Sequence, residues 1–222
     1  RTSTTLVNAY LSPVMASYVH KNDDYFKALG AAPPVRYFQS NGGLAVGSIM
    51  RERAVNAINS GPASAPQAGL YIASPFGIDD IITVDMGGTS FDITMAKSGR
   101  TSLNRDIDFL RNRIGVPMIH VETLGAGGGS ICHVNGGVLT IGPQSAGSDP
   151  GPICYGNGGT QPTVTDALLM LGLLSDDEGF AGGGFRLTRD GVEEAFGSLG
   201  RQMGVDAARA AFDCWRLVNA NM

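Results

Sequence analysis

The sequence predicts an α/β fold, with strands in the middle of the chain and helices toward both ends. Three observations carry this. Leu6, Val7, Tyr10, Leu11, Val14, Met15, Tyr18 and Val19 recur at helical spacing near the start. Short β-branched runs alternate with glycine turns between residues 81 and 141. Helical patterning then resumes over about 164–222. Apolar residues make up 43% and charged residues 16% of the 222 positions, a balance that suits a packed core rather than a disordered chain.

Taken in order, residues 3–19 read as a helix that Pro13 should kink or split. Val35–Gln39 is a short strand, followed by the turn Ser40-Asn41-Gly42-Gly43. Ser60-Gly61-Pro62 opens a helix toward Phe76, with Ser60 as a candidate cap. Ile81–Val84 and Phe91–Ala96 are strands joined by Gly87-Gly88-Thr89-Ser90. Ile119–Leu124 is a further strand. Ser130–Val134 and Val138–Ile141 flank Asn135-Gly136-Gly137, a hairpin signal. Residues 142–163 hold six glycines and four prolines and read as one long loop, a length that is usually functional or disordered. Helices follow at about 164–174, 189–203 and 207–222, with Thr188 and Asp206 as caps. In the last helix, Ala208, Ala211, Phe212, Trp215 and Val218 share a face. Three stretches result: a helical entry segment at 1–80, a β-rich region at 81–163 and a helical region at 164–222.

Net charge is −4, without the basic surface that nucleic-acid binding requires. No run approaches the ~20 apolar residues of a membrane helix, and no secretory signal opens the chain. Cys132, Cys154 and Cys214 are widely spaced and odd in number, which argues against a secreted disulfide framework. They read as small buried hydrophobes in a cytoplasmic protein.

Glycine is the outlier, at 32 residues. It clusters at 42–43, 87–88, 125–129, 136–137, 156–159 and 182–184. The cluster with the most chemical content lies in Asp85-Met86-Gly87-Gly88-Thr89-Ser90-Phe91-Asp92. A hydrophobic strand delivers Asp85, and two glycines then strip side chains from the turn. Amides in such a turn can face phosphate oxygens, and the hydroxyls of Thr89 and Ser90 can add donors. Asp85 could hold Mg²⁺ or orient a nucleophile. The alternative is an ordinary hairpin with a glycine turn. This is no Walker loop, because no GKS/T and no helix follow.

The pattern D-x-G-G-T-[ST]-x-D resembles the second phosphate motif of the actin-like ATPase superfamily. Six further stretches resemble the hydantoinase A / 5-oxoprolinase family in order and spacing. They are Arg1-Thr2-Ser3-Thr4-Thr5, Gln39-Ser40-Asn41-Gly42-Gly43, Ser60-Gly61-Pro62-Ala63, Leu124-Gly125-Ala126-Gly127-Gly128-Gly129-Ser130-Ile131, Ser145-Ala146-Gly147-Ser148-Asp149-Pro150-Gly151-Pro152 and Gly158-Gly159-Thr160-Gln161-Pro162-Thr163-Val164-Thr165-Asp166-Ala167. Two departures stand out: Ala63-Ser64-Ala65-Pro66 replaces a more glycine-rich run, and Phe91 sits where a small polar residue is common.

The resemblance implies an actin-like (ribonuclease H-like) mixed sheet with flanking helices, truncated at both ends, as the central part of a longer catalytic chain. It implies ATP and Mg²⁺ as cofactors, with Asp85 and Asp92 as catalytic carboxylates and Asp85 as a metal ligand. Gly87, Gly88, Thr89, Ser90, Gly127, Gly128 and Gly129 would then bind the nucleotide. The expected activity is hydrolysis of a cyclic amide whose carbonyl oxygen ATP has phosphorylated. Ketone carboxylation of the acetone or acetophenone kind, or a non-catalytic nucleotide-binding subunit, is the alternative. The expected partners are a small cyclic amide or ketone and a hydantoinase B-type subunit or domain.

Other candidates have two readings. Gly125–Ser130 is either an anion loop or a tight turn where sheets approach closely. Asp149 either sets a turn before Pro150 or faces the site, and Asp166 either caps a helix or does the same. His120 and Glu122 share a strand face and could form half of a metal site, too few ligands for zinc. His133 reads as a structural strand histidine, and Asn41 as a turn residue before a substrate contact.

Overall fold

In a computed structural model the described residues are 2–109, 111–177, 179–180 and 184–222. Arg1 and most of the glycine cluster at 182–184 lie outside them. The order is α1 (Thr2–Ala28), β1 (Arg36–Phe38), β2 (Leu44–Val46), α2 (Gly47–Glu52), α3 (Ser60–Ala73), β3 (Ile81–Met86), β4 (Phe91–Lys97), β5 (Arg100–Thr101), β6 (Leu103–Asn104), β7 (Ile107–Phe109), β8 (Asn112–Ile114), β9 (Met118–Ile119), β10 (Glu122–Leu124), β11 (Ser130–Asn135), β12 (Val138–Ser145), α4 (Val164–Met170), α5 (Val192–Met203) and α6 (Ala207–Asn221). Two compact units form: residues 1–85 with 93–122, and residues 86–92 with 123–222.

In the first unit, α1 runs unbroken through Pro13, against the expected kink or split. One proline removes a single rung from a helix of 27 residues, and the Ser12 hydroxyl donates to the Asn8 carbonyl at 2.7 Å. The apolar pattern of α1 divides. Val7 and Leu11 pack on a small core of Val55, Ile58, Ile114 and Met118, and Val19 is buried, whereas Leu6, Tyr10, Val14 and Tyr18 are exposed. Tyr37 of β1 donates to Asp23 of α1 at 2.9 Å. Burial, and then that carboxylate, push the phenol up to about 12. Helix α3 is capped one residue earlier than expected: Asn59, in the left-handed region, is the N-cap, and Ser60 is already helical. Its Gly69 lets β3 approach, because a Cβ there would lie 2.7 Å from Ile81 and 2.8 Å from Thr83. Strand β4 pairs with β3 and with β5. The Thr83 and Thr94 hydroxyls bond each other across the pair. The strand expected at 119–124 is two, β9 and β10.

In the second unit, β11 and β12 form the expected hairpin, with Asn135 opposite Val138. Gly136 and Gly137 both have positive φ, as a two-residue turn between right-twisted strands requires. Strand β12 continues to Ser145, so the expected loop at 142–163 begins as strand and also holds a short 3₁₀ turn at Ile153–Tyr155. Helices α4, α5 and α6 bury Leu169, Phe196, Ala210, Ala211, Cys214 and Val218 against the hairpin's Cys132 and Ile141. The buried face of α6 differs from the expected one. Ala210 and Cys214 replace Ala208 and Trp215, while Phe212 is partly exposed beneath the Arg209 guanidinium. Asp206 caps α6 as expected, but α5 is capped by Gly191 rather than Thr188.

Asp166 holds this unit together. Its carboxylate is fully buried and accepts from the amides of Ile153 (3.2 Å), Cys154 (2.7 Å) and Thr163 (2.9 Å) and from the Thr163 hydroxyl (2.8 Å). With Thr163 as N-cap this is a reciprocal capping box at the start of α4. Replacing Asp166 with alanine would strand several buried donors, since charged hydrogen bonds contribute roughly 1.5–3 kcal/mol each. The expected outcome for Asp166→Ala is a loss of at least about 3 kcal/mol, read as a lowered unfolding midpoint in denaturant. An unchanged midpoint would refute the role.

The three cysteines are free and buried. The Cys132 thiol is held above its ordinary range by its hydrogen bond with Cys214 and by burial. That of Cys154 is also raised, by burial and by the charge of Asp166. A raised thiol stays protonated as pH climbs, so thiolate remains scarce at pH 8. Alkylation mapped by mass spectrometry should leave Cys132 and Cys154 unlabelled at pH 8 until denaturant is added. Rapid labelling of Cys154 in the native protein would contradict this.

Candidate functional site

Strand β3 delivers Asp85, exposed and without a hydrogen bond or ion pair among the described residues. The turn after Met86 is closed by the Gly87 amide donating to the Ser90 carbonyl at 2.9 Å. That leaves Gly88 and Thr89 at the tip, where neither amide has an acceptor among the described residues. A Cβ added to Gly88 would meet nothing within 4 Å, so open space lies beside these two amides. Adjacent unpaired N–H groups in a turn suit an anion. Asp92, at the far side of the turn, accepts from the Thr123 hydroxyl at 2.6 Å and, through a long 3.5 Å contact, from Ser90. Thr123 is a site residue that sequence reasoning missed. Its only signal was its place just before the Leu124–Gly129 motif.

The turn Gly125–Ser130 packs directly against Gly87–Thr89. The Gly128 amide donates to the Gly87 carbonyl at 2.9 Å, and the Gly129 amide to the Gly88 carbonyl at 2.6 Å. The Gly127 amide goes to the Ser130 hydroxyl at 2.9 Å. A Cβ at Gly127 would lie 2.7–2.8 Å from the backbone of residues 87–89. These glycines therefore serve close backbone approach, and all three amides are already engaged. Behind them, the amide and hydroxyl of Thr165 both donate to the Gly128 carbonyl at 2.8 Å, one residue before the buried Asp166.

The remaining candidates sit as follows. Asp149 is exposed. Asp166 is the structural anchor described above. His133 is half-buried opposite Thr140 in the hairpin. In the first unit, His120 has both ring nitrogens engaged, Nε2 with Glu122 at 2.6 Å and Nδ1 with Asn104 at 3.1 Å. The Asn41 carbonyl oxygen accepts from the Gly43 amide at 2.9 Å. Residues of two of the motifs, Thr4, Thr5 and Asn41, line one cleft of about 430 Å³ with Asn8, Glu52 and Asn56.

The whole chain, residues 1–222, matches the family model described as Hydantoinase/oxoprolinase. It is 63% identical over 224 residues to the caprolactamase subunit alpha of Pseudomonas jessenii, covering 100% of this chain and 32% of that protein. The crystal structure of ATP-dependent caprolactamase from Pseudomonas jessenii superposes with a TM-score of 0.80 at 62% identity, over 100% of this chain and 32% of that one. Nucleotide-free acetone carboxylase superposes with a TM-score of 0.89 at 25% identity, over 100% and 31%. This chain thus spans about a third of the length of these relatives. Its mixed architecture of helices and antiparallel strand pairs is that of these structures, consistent with the actin-like fold expected from the motif at 85–92. On a match along its full length, the chain belongs to the hydantoinase/oxoprolinase family.

Proposed function

We propose that this chain is the phosphate-binding middle part of an ATP-dependent cyclic-amide hydrolase. The observation that carries the reading is the open tip of the Gly87–Ser90 turn, with two unclaimed amides, in the stretch of chain that directly follows Asp85. The 63% identity to a caprolactamase subunit favours a lactam or related cyclic amide as substrate. The 25% identity to acetone carboxylase makes ketone carboxylation the weaker alternative.

Bound Mg-ATP would supply a phosphoryl group to the amide oxygen, turning a poor electrophile into one with a good leaving group. The chain's own residues prepare this. The amides of Gly88 and Thr89 offer donors to phosphate oxygens at no cost in reorganisation. Asp85 is exposed at a strand end, where a carboxylate can hold Mg²⁺ directly or through water. Asp92, oriented by the Thr123 hydroxyl, keeps the return strand in place. Gly127, Gly128 and Gly129 support the turn from behind in this reading. Magnesium, a cytoplasmic site of action and a hydantoinase B-type partner belong to the same proposal. The buried free thiols support a reducing compartment, and the relative's designation as a subunit supports a partner. No described helix is long and apolar enough to cross a membrane.

The test is phosphate release by the complete enzyme with its partner, offered caprolactam, other lactams, hydantoins, 5-oxoproline and small ketones with bicarbonate. Stimulation by a cyclic amide is expected. Stimulation by ketones alone would transfer the assignment to carboxylation. Asp85→Asn should lower turnover by about 10²–10³-fold, the size of effect seen on removing one electrostatic group from a preorganised site, with unfolding unchanged. Parent-level turnover would sink the assignment of Asp85. Gly88→Val should weaken nucleotide binding at least about tenfold, because a branched side chain fills the space beside the amides. Equal affinity in mutant and parent would remove the phosphate site from this turn.

A further inference from the structure

The Thr89 hydroxyl was expected to add a donor for phosphate, but its proton is already spent. Thr89 Oγ1 donates to Ser145 Oγ at 3.2 Å. Ser145 Oγ also accepts from the Gly147 amide at 3.1 Å, and it donates to the Gly88 carbonyl at 3.4 Å. A serine hydroxyl has one proton and two lone pairs, so Ser145 is used to capacity. Thr89 keeps only lone pairs to offer. Phosphate oxygens need donors, whereas a hard divalent cation needs oxygen lone pairs.

The position of Ser145 is itself determined from two sides. It closes β12 opposite Ser130, and the Ala146 amide donates to the Gly129 carbonyl at 2.8 Å. A Cβ at Gly129 would lie 2.9 Å from Ser145 Oγ and 2.8 Å from the Gly88 carbonyl oxygen. Glycine at 129 is what allows a serine 56 residues along the chain from Thr89 to reach the turn.

We propose that Ser145 is a positioning residue for the Gly87–Ser90 turn, holding the Thr89 hydroxyl as a ligand for the nucleotide's divalent cation rather than as a donor to phosphate. This rests on reading the turn as the nucleotide site. The division of labour that follows is simple: the Gly88 and Thr89 amides take the phosphate, and the Thr89 oxygen takes the cation.

The experiment is calorimetric titration of the complete enzyme with a non-hydrolysable ATP analogue, once in excess Mg²⁺ and once in EDTA. Ser145→Ala should weaken binding in Mg²⁺ about five- to tenfold, the worth of about one such polar interaction, and leave binding in EDTA within about twofold. Ser145→Thr, which keeps the hydroxyl, should restore the Mg²⁺-dependent part. Thr89→Val removes the oxygen in an isosteric side chain and should reproduce Ser145→Ala, which also covers the case of an unstable serine variant. Loss of equal size with and without Mg²⁺, or no loss in either variant, overturns the proposal. Gly88→Val separates the two levels of inference. If it weakens binding in both buffers while Ser145→Ala and Thr89→Val leave the Mg²⁺ dependence intact, only the role of Ser145 falls. If it weakens neither, the nucleotide reading of the turn falls and takes this proposal with it.

Discussion

The buried carboxylate of Asp166 is the constraint on which the second unit depends. A fully desolvated acid survives only when its lone pairs are satisfied, and Asp166 meets this with three backbone amides and one hydroxyl. Those partners come from two places, the 3₁₀ turn at Ile153–Tyr155 and the N-cap Thr163. One side chain therefore sets both the start of α4 and the course of the glycine-rich segment before it. Thr165, on the first turn of the same helix, carries that order outward. It binds the Gly128 carbonyl with two donors, and Gly128 in turn binds Gly87. The phosphate-type turn is thus tied through short polar contacts to the best-packed part of the chain.

Two kinds of glycine operate in this arrangement. Gly127 and Gly129 are needed because backbone lies where their Cβ atoms would be. Gly88 has nothing near it and leaves room for something that is not part of the chain. The first kind makes the turn rigid and the second makes it accessible. Rigidity is useful at such a place because donors that are already fixed do not have to reorganise as charge develops.

The first unit contributes differently. Thr4, Thr5 and Asn41, from two of its motifs, line one cleft, and the apolar face of α1 formed by Leu6, Tyr10, Val14 and Tyr18 is left exposed. Hydrophobic side chains in such number on one helix face are unusual on a free surface. Relatives three times as long contain this region as one part among others.

Much was legible in the residues alone. The helix at the start of the chain, the β3–β4 turn, the Asn135-Gly136-Gly137 hairpin and the Asp206 cap follow from local rules of periodicity and turn chemistry, which need only neighbours in sequence. The family could be recognised because its motifs are ordered along the chain. Two expectations differ from the structure. Pro13 was expected to kink or split α1, which runs unbroken because only one rung is lost. The buried face of α6 takes Ala210 and Cys214 in place of Ala208 and Trp215, because its packing partners include the distant hairpin residues Cys132 and Ile141. What the sequence by itself determined is where most turns and strands fall and, through its ordered motifs, the family to which the chain belongs. What only the tertiary structure decided is that Gly127–Gly129 braces that turn, that Asp166 is an anchor rather than a site residue, and where the Thr89 proton goes. Hydrogen-bond capacity is counted atom by atom, and the count is closed only when distant atoms are brought within hydrogen-bonding reach of one another.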